Sequence, residues 1–354
     1  MNEVIINIQH PLYQEDLRNV VDIEGIRWIN DKRVLITGAT GLIGKCLIDA
    51  LMYLNEQGAN IQIYALGRSL EKGCHRFRDY FNHKHFTFIE KNDWDMLPRG
   101  INYDVIVPLA SFTHPLAYSQ YPVETIEVNV KGAEIALRKA RECGAIVLYP
   151  SSVEIYGQSI NGELFAEDST GILNLSNSRS CYTESKRVCE ALCQSYAAEY
   201  GVNVKIVRLS RVFGPTMLLT DSKASSQFLK KALNYEDIIL KSQGDQLFSY
   251  SYVADAVRAL LYVLIYGKKG MAYNVSSDRC TLRLRDFAET CAKWANRKVV
   301  MSLPSESEKK GYSIASFAVL DNNRIKKLGW NGIYNADDAI FRTLEILKDA
   351  SKYD

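Results

Sequence analysis

The stretch Arg33-Val34-Leu35-Ile36-Thr37 is apolar and β-branched, and it runs without a break into Gly38-Ala39-Thr40-Gly41-Leu42-Ile43-Gly44. A strand, three glycines spaced by three and a helix-spaced apolar run predict the first turn of a parallel βαβ unit. Gly38 permits the tight turn, Gly41 lets backbone approach a pyrophosphate, and Gly44 lets the following helix sit close to the sheet. The free N–H groups over Thr40, Gly41, Leu42, Ile43 and Gly44 then face the phosphates of a dinucleotide.

The same alternation continues along the chain. Val- and Ile-rich runs at 33–37, 61–66, 86–90, 105–110, 146–151 and 204–209 predict strands, and helix-spaced apolar residues fill 42–54, 123–143 and 182–200. This pattern predicts an α/β fold: a Rossmann-like, doubly wound parallel sheet whose strand ends share one ligand-binding rim. After Gly214-Pro215 the regularity fades into polar turns, as in a smaller, discontinuous α+β substrate domain. The expected organisation is an extension over 1–31, with a short helix at 12–21, and a dinucleotide-binding domain over 32–215. A helix at 252–266 and a strand at 272–275 return to that domain, and 216–251 with 277–354 form the substrate domain.

Composition narrows the partners. With 354 residues, a net charge of +2 and 24% charged side chains, the chain offers no electrostatic argument for nucleic acid or an anionic membrane. No apolar run reaches the ~18 residues of a membrane span. Residues 260–266 are apolar but short, and Arg258 and Lys268 bracket them. Residues 1–10 have no basic start or cleavage site, so a cytoplasmic protein is expected. Eight scattered cysteines form no Cys-x-x-Cys pair. Cys189 and Cys193 lie one helical turn apart but lack two further ligands, so no metal site is expected and free thiols are.

Two more segments carry chemistry. Ser151-Ser152 ends a predicted strand on the ligand rim and brings hydroxyls there, of which that of Ser151 is expected to cap local backbone. Tyr182 and Lys186, four apart, share a helix face. A phenol titrates near ~10, and a neighbouring ammonium and a positive nicotinamide ring both favour its ionised form. At the end of the second strand Gly67 stands where an acid would bond a ribose 2′-hydroxyl, and Arg68 follows, which favours NADP over NAD.

In this order, the glycine turn, Ser151-Ser152 and Tyr182-Thr183-Glu184-Ser185-Lys186 resemble the extended short-chain dehydrogenase/reductase family, the branch acting on nucleotide sugars. The resemblance covers roughly 32–330. It implies that Lys186 bonds the nicotinamide ribose, Asp93 holds the adenine, and Leu109 and Ala110 line the floor beside the cofactor. It also implies that Asn129-Val130-Lys131-Gly132 is structural, that Tyr182 is the base and that Ser152 orients the reacting sugar oxygen. Glu154, in Ser151-Ser152-Val153-Glu154-Ile155-Tyr156-Gly157, occupies the place of an acid–base residue in dehydratases and UDP-glucuronate decarboxylases; Val153 removes the aspartate of the dTDP-glucose type. Arg179-Ser180-Cys181-Tyr182 and the segment around Tyr118, Pro122-Val123 and Thr125 are most similar to the decarboxylase branch.

Three positions depart from the family pattern: Arg211 replaces a sugar-contacting Asn, Phe248 replaces a diphosphate-binding Arg, and Pro108 replaces a His. Arg211 is the candidate compensating contact for a phosphate or carboxylate. The function implied is oxidation of a nucleotide-sugar C4 hydroxyl followed by elimination or epimerisation, in the supply of capsule or lipopolysaccharide sugars. The alternative is an NADPH-dependent reductase of a keto sugar or nucleotide-linked ketose. A cofactor-sensing protein on the same fold is a third reading, and the complete Ser-Tyr-Lys set argues against it. Relatives pair helices into a homodimer, for which Val188, Leu192, Tyr196 and Ala197 are available.

Overall fold

The computed structural model describes residues 5–91, 97, 100–113, 115–159, 162–302 and 316–350. Asp93, expected beside the adenine, lies outside the described residues. Strands β1 (Arg33–Thr37), β2 (Gln62–Gly67), β3 (Phe86–Glu90), β4 (Val105–Pro108), β5 (Ile146–Ser152) and β6 (Asn203–Leu209) follow the predicted alternation within two residues at each end. The next four are β7 (Arg211–Phe213), β8 (Ile238–Leu240), β9 (Leu247–Tyr252) and β10 (Ala272–Val275). A seven-stranded sheet runs β10-β6-β5-β4-β1-β2-β3 and is parallel throughout. The strand order reverses between β1 and β4, which opens a crevice at their carboxyl ends, where ligands bind in open α/β sheets.

Helices cover both faces. On one side α1 (Pro11–Val21), α2 (Leu42–Glu56) and α8 (Val253–Tyr266) share a core that includes Leu17, Ile48, Leu51 and Leu260. On the other, α5 (Pro122–Cys143) and α6 (Ser180–Glu199) pack Leu137, Cys189 and Cys193 against Leu35, Ile106 and Val147. Helix α8 is apolar almost all round because it is sandwiched between the sheet and α1.

Segment 216–250, expected as turns and short elements, contains a helix, Ala224–Leu233, as well as β8 and most of β9. Strand β9 hides in the sequence because Ser249 and Ser251 are wholly buried small hydroxyls. Ser249 accepts from the Leu320 N–H at 3.1 Å, and Ser251 bonds Ser210 at 2.7 Å. β9 is the spine of a second sheet, parallel to β7 and antiparallel to Thr281–Arg283.

Helix α1, in the expected extension, packs into the core through Tyr13, Leu17 and Val20. The Tyr13 hydroxyl donates to Asp49 of α2 at 2.6 Å. Asp16 accepts from the Tyr252 hydroxyl at 2.6 Å and from Arg342 Nε at 2.9 Å. One helix thereby ties the parallel sheet's cover to the carboxyl-terminal helix Ala336–Ala350.

Candidate active site

The glycine turn is shaped by close approach of backbone. Gly38 has φ +62°, and a Cβ there would lie 2.6 Å from the Ala110 nitrogen, so only glycine fits between β1 and the end of β4. A Cβ on Gly44 would lie 2.6 Å from the Gly38 oxygen, which is how tightly α2 sits on the turn. Gly41 is the N-cap of α2, with extended backbone and no side-chain cap, and a Cβ there would meet only the Gly38 oxygen at 3.2 Å. The helix begins with Lys45 N–H on the Gly41 carbonyl, so the N–H groups of Leu42, Ile43 and Gly44 precede the first intrahelical bond. With Thr40 they line the cleft, in the arrangement that suits a dinucleotide diphosphate.

At the end of β2 a Cβ on Gly67 would fall 2.6 Å from the Phe88 ring, so an acid at this place would need that ring to move. Arg68 follows, its guanidinium 5.7 Å from the Phe112 ring centre. The Ser69 hydroxyl is engaged as an N-cap, accepting from the Lys72 N–H at 3.2 Å. Arg68, Ser69, Leu109 and Ala110 all line the same cleft.

Tyr182 lies in the first turn of α6 and Lys186 one turn further, both buried. Lys186 Nζ donates to the Pro150 carbonyl at 2.9 Å and sits 5.9 Å from the Tyr182 ring centre. Burial pushes the Tyr182 phenol up to about 12, while a hydrogen bond from Ser152 pulls it down and the Glu154 charge raises it. Burial pushes the Lys186 ammonium down. The Lys186 head group is thus held at the end of β5, next to the Tyr182 ring.

Capping at the end of β5 also differs from expectation. Ser152, the last residue of β5, accepts from the Glu154 N–H at 3.2 Å and caps the short 3-10 turn Val153–Tyr156. Ser151 Oγ is buried without a partner. Side chains alternate across a strand, so only one of the two serines turns toward the capped N–H.

The remaining wall is built by aromatic rings and arginines. Tyr118 stacks on Tyr182 with ring centres 5.5 Å apart and planes at 26°. Burial pushes the Tyr118 phenol up, and its hydroxyl accepts from Arg179 Nη2 at 3.2 Å. Arg211 Nη2 donates to Glu154 Oε1 at 3.1 Å, and its guanidinium lies 3.6 Å from the Phe248 ring centre. Asn129 donates to Ser185 Oγ at 2.8 Å, which braces α5 against α6 beneath the site.

One cleft of about 1810 Å³ gathers these parts. Of the residues singled out from sequence, Gly38, Thr40, Gly41, Leu42, Ile43, Gly44, Arg68, Leu109, Ala110, Tyr118, Ser152, Glu154, Tyr182, Lys186 and Arg211 all line it. The cleft also recruits Arg179, Lys72, Lys91, Lys223, Lys231 and Lys241, against the carboxylates Glu124, Glu154 and Asp221. The lining thus carries more basic than acidic side chains, which suits an anionic ligand. Arg179 carried a signal in its motif; the lysines carried none. Among the described residues no cluster of His, Cys, Asp and Glu has the makings of a metal site, and no helix is long and apolar enough to cross a membrane.

UDP-glucuronic acid decarboxylase 1 of Xenopus tropicalis is 31% identical over 234 residues, 66% of this chain and 53% of the frog protein. UDP-glucuronic acid decarboxylase 6 of Arabidopsis thaliana is 31% identical over 235 residues, 66% of each chain. The chain therefore matches somewhat more than half to about two thirds of the length of these curated relatives. In fold it is similar to the dTDP-glucose 4,6-dehydratase of Streptomyces venezuelae solved with NAD bound (TM-score 0.77, 22% identity, 91% of this chain and 98% of that one). It is also similar to the UDP-glucuronic acid 4-epimerase of Bacillus cereus, solved with UDP-glucuronic acid and NAD (TM-score 0.75, 18% identity, 90% and 99%). Residues 34–276 match the NAD dependent epimerase/dehydratase family, and the chain belongs to that family.

Proposed function

We propose that this protein is an NAD(P)-dependent nucleotide-sugar enzyme that oxidises a sugar C4 hydroxyl and then eliminates or epimerises. The observation that carries the reading is the convergence of Ser152, Glu154, Tyr182 and Lys186 on the cleft that also holds the glycine turn. A bound nicotinamide would supply the acceptor for the C4 hydride and, once elimination or epimerisation is complete, the donor that returns it to the sugar, so no net cofactor would be consumed. The protein's own groups do the rest. Tyr182, as phenolate, takes the proton of the C4 hydroxyl, and Ser152 donates to the phenol oxygen and orients the sugar. Lys186, fixed on Pro150, presents its remaining donors to the ribose of the cofactor. A ketone at C4 acidifies the neighbouring carbon, and Glu154, which lines the same cleft, is the group proposed to exchange a proton there.

Elimination by loss of carbon dioxide or water is the favoured branch, supported by Glu154 and by the decarboxylases among the relatives. Net reduction of a keto sugar with NADPH is the second reading, supported by Arg68 at the end of β2 and by the Arg211 and Phe248 departures. NADP(H) over NAD is proposed on the same Gly67-Arg68 pair. Residues 1–31, 32–215 with 252–276, and 216–251 with 277–354 are proposed as extension, dinucleotide domain and substrate domain; the joining of β10 to the parallel sheet supports this division. A homodimer is proposed through the outer face of α6. There Val188 is 47% exposed, whereas Cys189 and Cys193 face the sheet. A cytoplasmic location is supported by eight cysteines that are all free thiols.

The test is mass-resolved product analysis of the purified protein with a panel of nucleotide sugars and keto sugars, and NAD⁺, NADP⁺ or NADPH. Loss of carbon dioxide or water with only trace cofactor supports elimination. A gain of two hydrogens matched by NADPH consumption supports the reductase. No product with any of them rejects both.

A further inference from the structure

Arg211 and Phe248 lie on paired strands. In the β7–β9 pair Arg211 stands opposite Tyr250, and Phe248, two residues earlier on β9, shares the face of Tyr250. The Arg211 guanidinium rests on the Phe248 ring at 3.6 Å, and both residues line the cleft. A guanidinium stacked in this way keeps its N–H donors pointing outward in its own plane and loses little freedom when it binds.

Those donors are underused. Nη2 reaches Glu154 Oε1 at 3.1 Å, a contact through one nitrogen only, and Nη1 is buried with no acceptor. A buried donor without an acceptor is unfavourable, and the fork of an arginine is matched by two oxygens of one anion. The Glu154 N–H donates to the hydroxyl of Ser152, whose own hydrogen bond bears on Tyr182, so Arg211 belongs to the reacting end of the cleft.

We propose that Arg211, stacked on Phe248, selects substrates by taking an anionic oxygen at the sugar end of the ligand. The incoming anion competes with Glu154 for the guanidinium, so that Glu154 is released toward the reacting carbon only when such a substrate is bound. The inference rests on the nucleotide-sugar reading above. The anionic oxygen has two possible carriers, a carboxylate on the sugar or the phosphate linked to it, and the experiment separates them.

Calorimetric titrations of UDP-glucuronate, UDP-glucose and UDP into NAD⁺- or NADP⁺-loaded protein, in a Tyr182→Phe background that prevents turnover, provide the test. With Arg211→Met added, UDP-glucuronate binding is expected to weaken about 10–100-fold while UDP-glucose changes less than about twofold, if the carboxylate is the carrier. Equal weakening of all three assigns the phosphate. Arg211→Lys should restore part of the loss, and Phe248→Leu should weaken the same ligands about threefold to tenfold without changing any charge. Unchanged affinities in both Arg211→Met and Phe248→Leu overturn the proposal.

The release of Glu154 has its own readout in protein with Tyr182 intact. Arg211→Met should raise KM and leave kcat within about threefold, because Glu154 is then never held back. A large fall in kcat at unchanged KM overturns the exchange. Retained dinucleotide binding shows that each variant folds, and Phe248→Leu decides the question if Arg211→Met does not. Should the wild-type site bind none of the three ligands while still binding the dinucleotide, the nucleotide-sugar reading fails, and this inference with it.

Discussion

Lys186 donates to the Pro150 carbonyl at 2.9 Å, and this contact, rather than one to the Tyr182 hydroxyl, fixes the base of α6 against the end of β5. Tyr182 is left buried at the wall of the cleft, with a phenol pushed up to about 12, drawn down by Ser152 and raised by the charge of Glu154. The phenol proposed as the base is therefore acted on by neighbours in opposite directions, and each can be removed separately.

Ser152→Ala and Glu154→Gln should shift the ionisation of Tyr182 in opposite senses. Without the Ser152 hydrogen bond the phenolate loses a stabilising donor, so activity should need higher pH. Without the Glu154 charge the phenolate is less opposed, so the rising limb should move to lower pH. Profiles of kcat/KM against pH for the two variants check this, and shifts in the same direction would remove the account of the base.

Glu154→Gln also separates reaction types. An eliminating enzyme should lose about 10²–10⁴-fold in turnover without its proton-exchanging group, whereas a reductase should lose little. Tyr182→Phe is the control. It should abolish turnover in either case while leaving dinucleotide affinity within about twofold, since the cradle at Gly38 to Gly44 is untouched. Normal turnover in Tyr182→Phe would mean that another group is the base.

The three glycines of the turn should respond differently. Gly41→Ala keeps an allowed backbone and meets only the Gly38 oxygen at 3.2 Å, so it should leave Tm nearly unchanged and weaken dinucleotide binding about tenfold or more. Gly44→Ala drives a Cβ to 2.6 Å from the Gly38 oxygen and should lower Tm. Thermal melts and fluorescence titration of the cofactor distinguish the two. The reverse order would mean that Gly41, not Gly44, holds helix to sheet.

Arg68→Ala tests cofactor choice. If Arg68 meets a 2′-phosphate, NADP⁺ affinity should fall about tenfold with NAD⁺ unaffected. Equal affinities in wild type and variant would remove the preference for NADP.

Much of this site is legible in the chain because it is built from local rules. The glycine spacing gives the strand-to-helix turn, and Tyr182 and Lys186 share a face by helical period alone. The strand pattern gives the parallel sheet because central strands are apolar on both sides. What was not legible depends on contacts between distant segments. Arg211 and Phe248 look like two separate departures until the pairing of β7 with β9 stacks one on the other. Ser151 and Ser152 differ only in which side of β5 they occupy. On α6, spacing alone did not separate the sheet-facing Cys189 from the exposed Val188, because both are apolar and adjacent. Strand β9 is hidden in the chain because its buried serines read as polar until their partners Leu320 and Ser210 are in place.

Asp16 supplies a pH-dependent term in stability. Burial raises its carboxyl from the ordinary 3.8 to about 6, opposed by Arg342 and by the hydroxyls of Tyr252 and Tyr334. The folded protein thus holds a proton on Asp16 up to about pH 6, whereas the unfolded chain releases it near pH 4. Between these values the native state binds more protons, so the free energy of unfolding falls as pH rises, and the loss is complete above about pH 6. A shift of about two units corresponds to roughly 3 kcal/mol as an upper bound. Asp16→Asn keeps the shape and one acceptor oxygen, for Arg342, turns an amide N–H toward the Tyr252 hydroxyl, and does not titrate. Relative to that variant, the wild type should lose stability between pH 4 and pH 7 in denaturant titrations; Asp255, also raised to about 6, is present in both proteins, so the difference reports chiefly Asp16. A difference that stays flat, or grows in favour of the wild type, would show that the Arg342 charge outweighs burial and that α1 is held by a fully ionised pair.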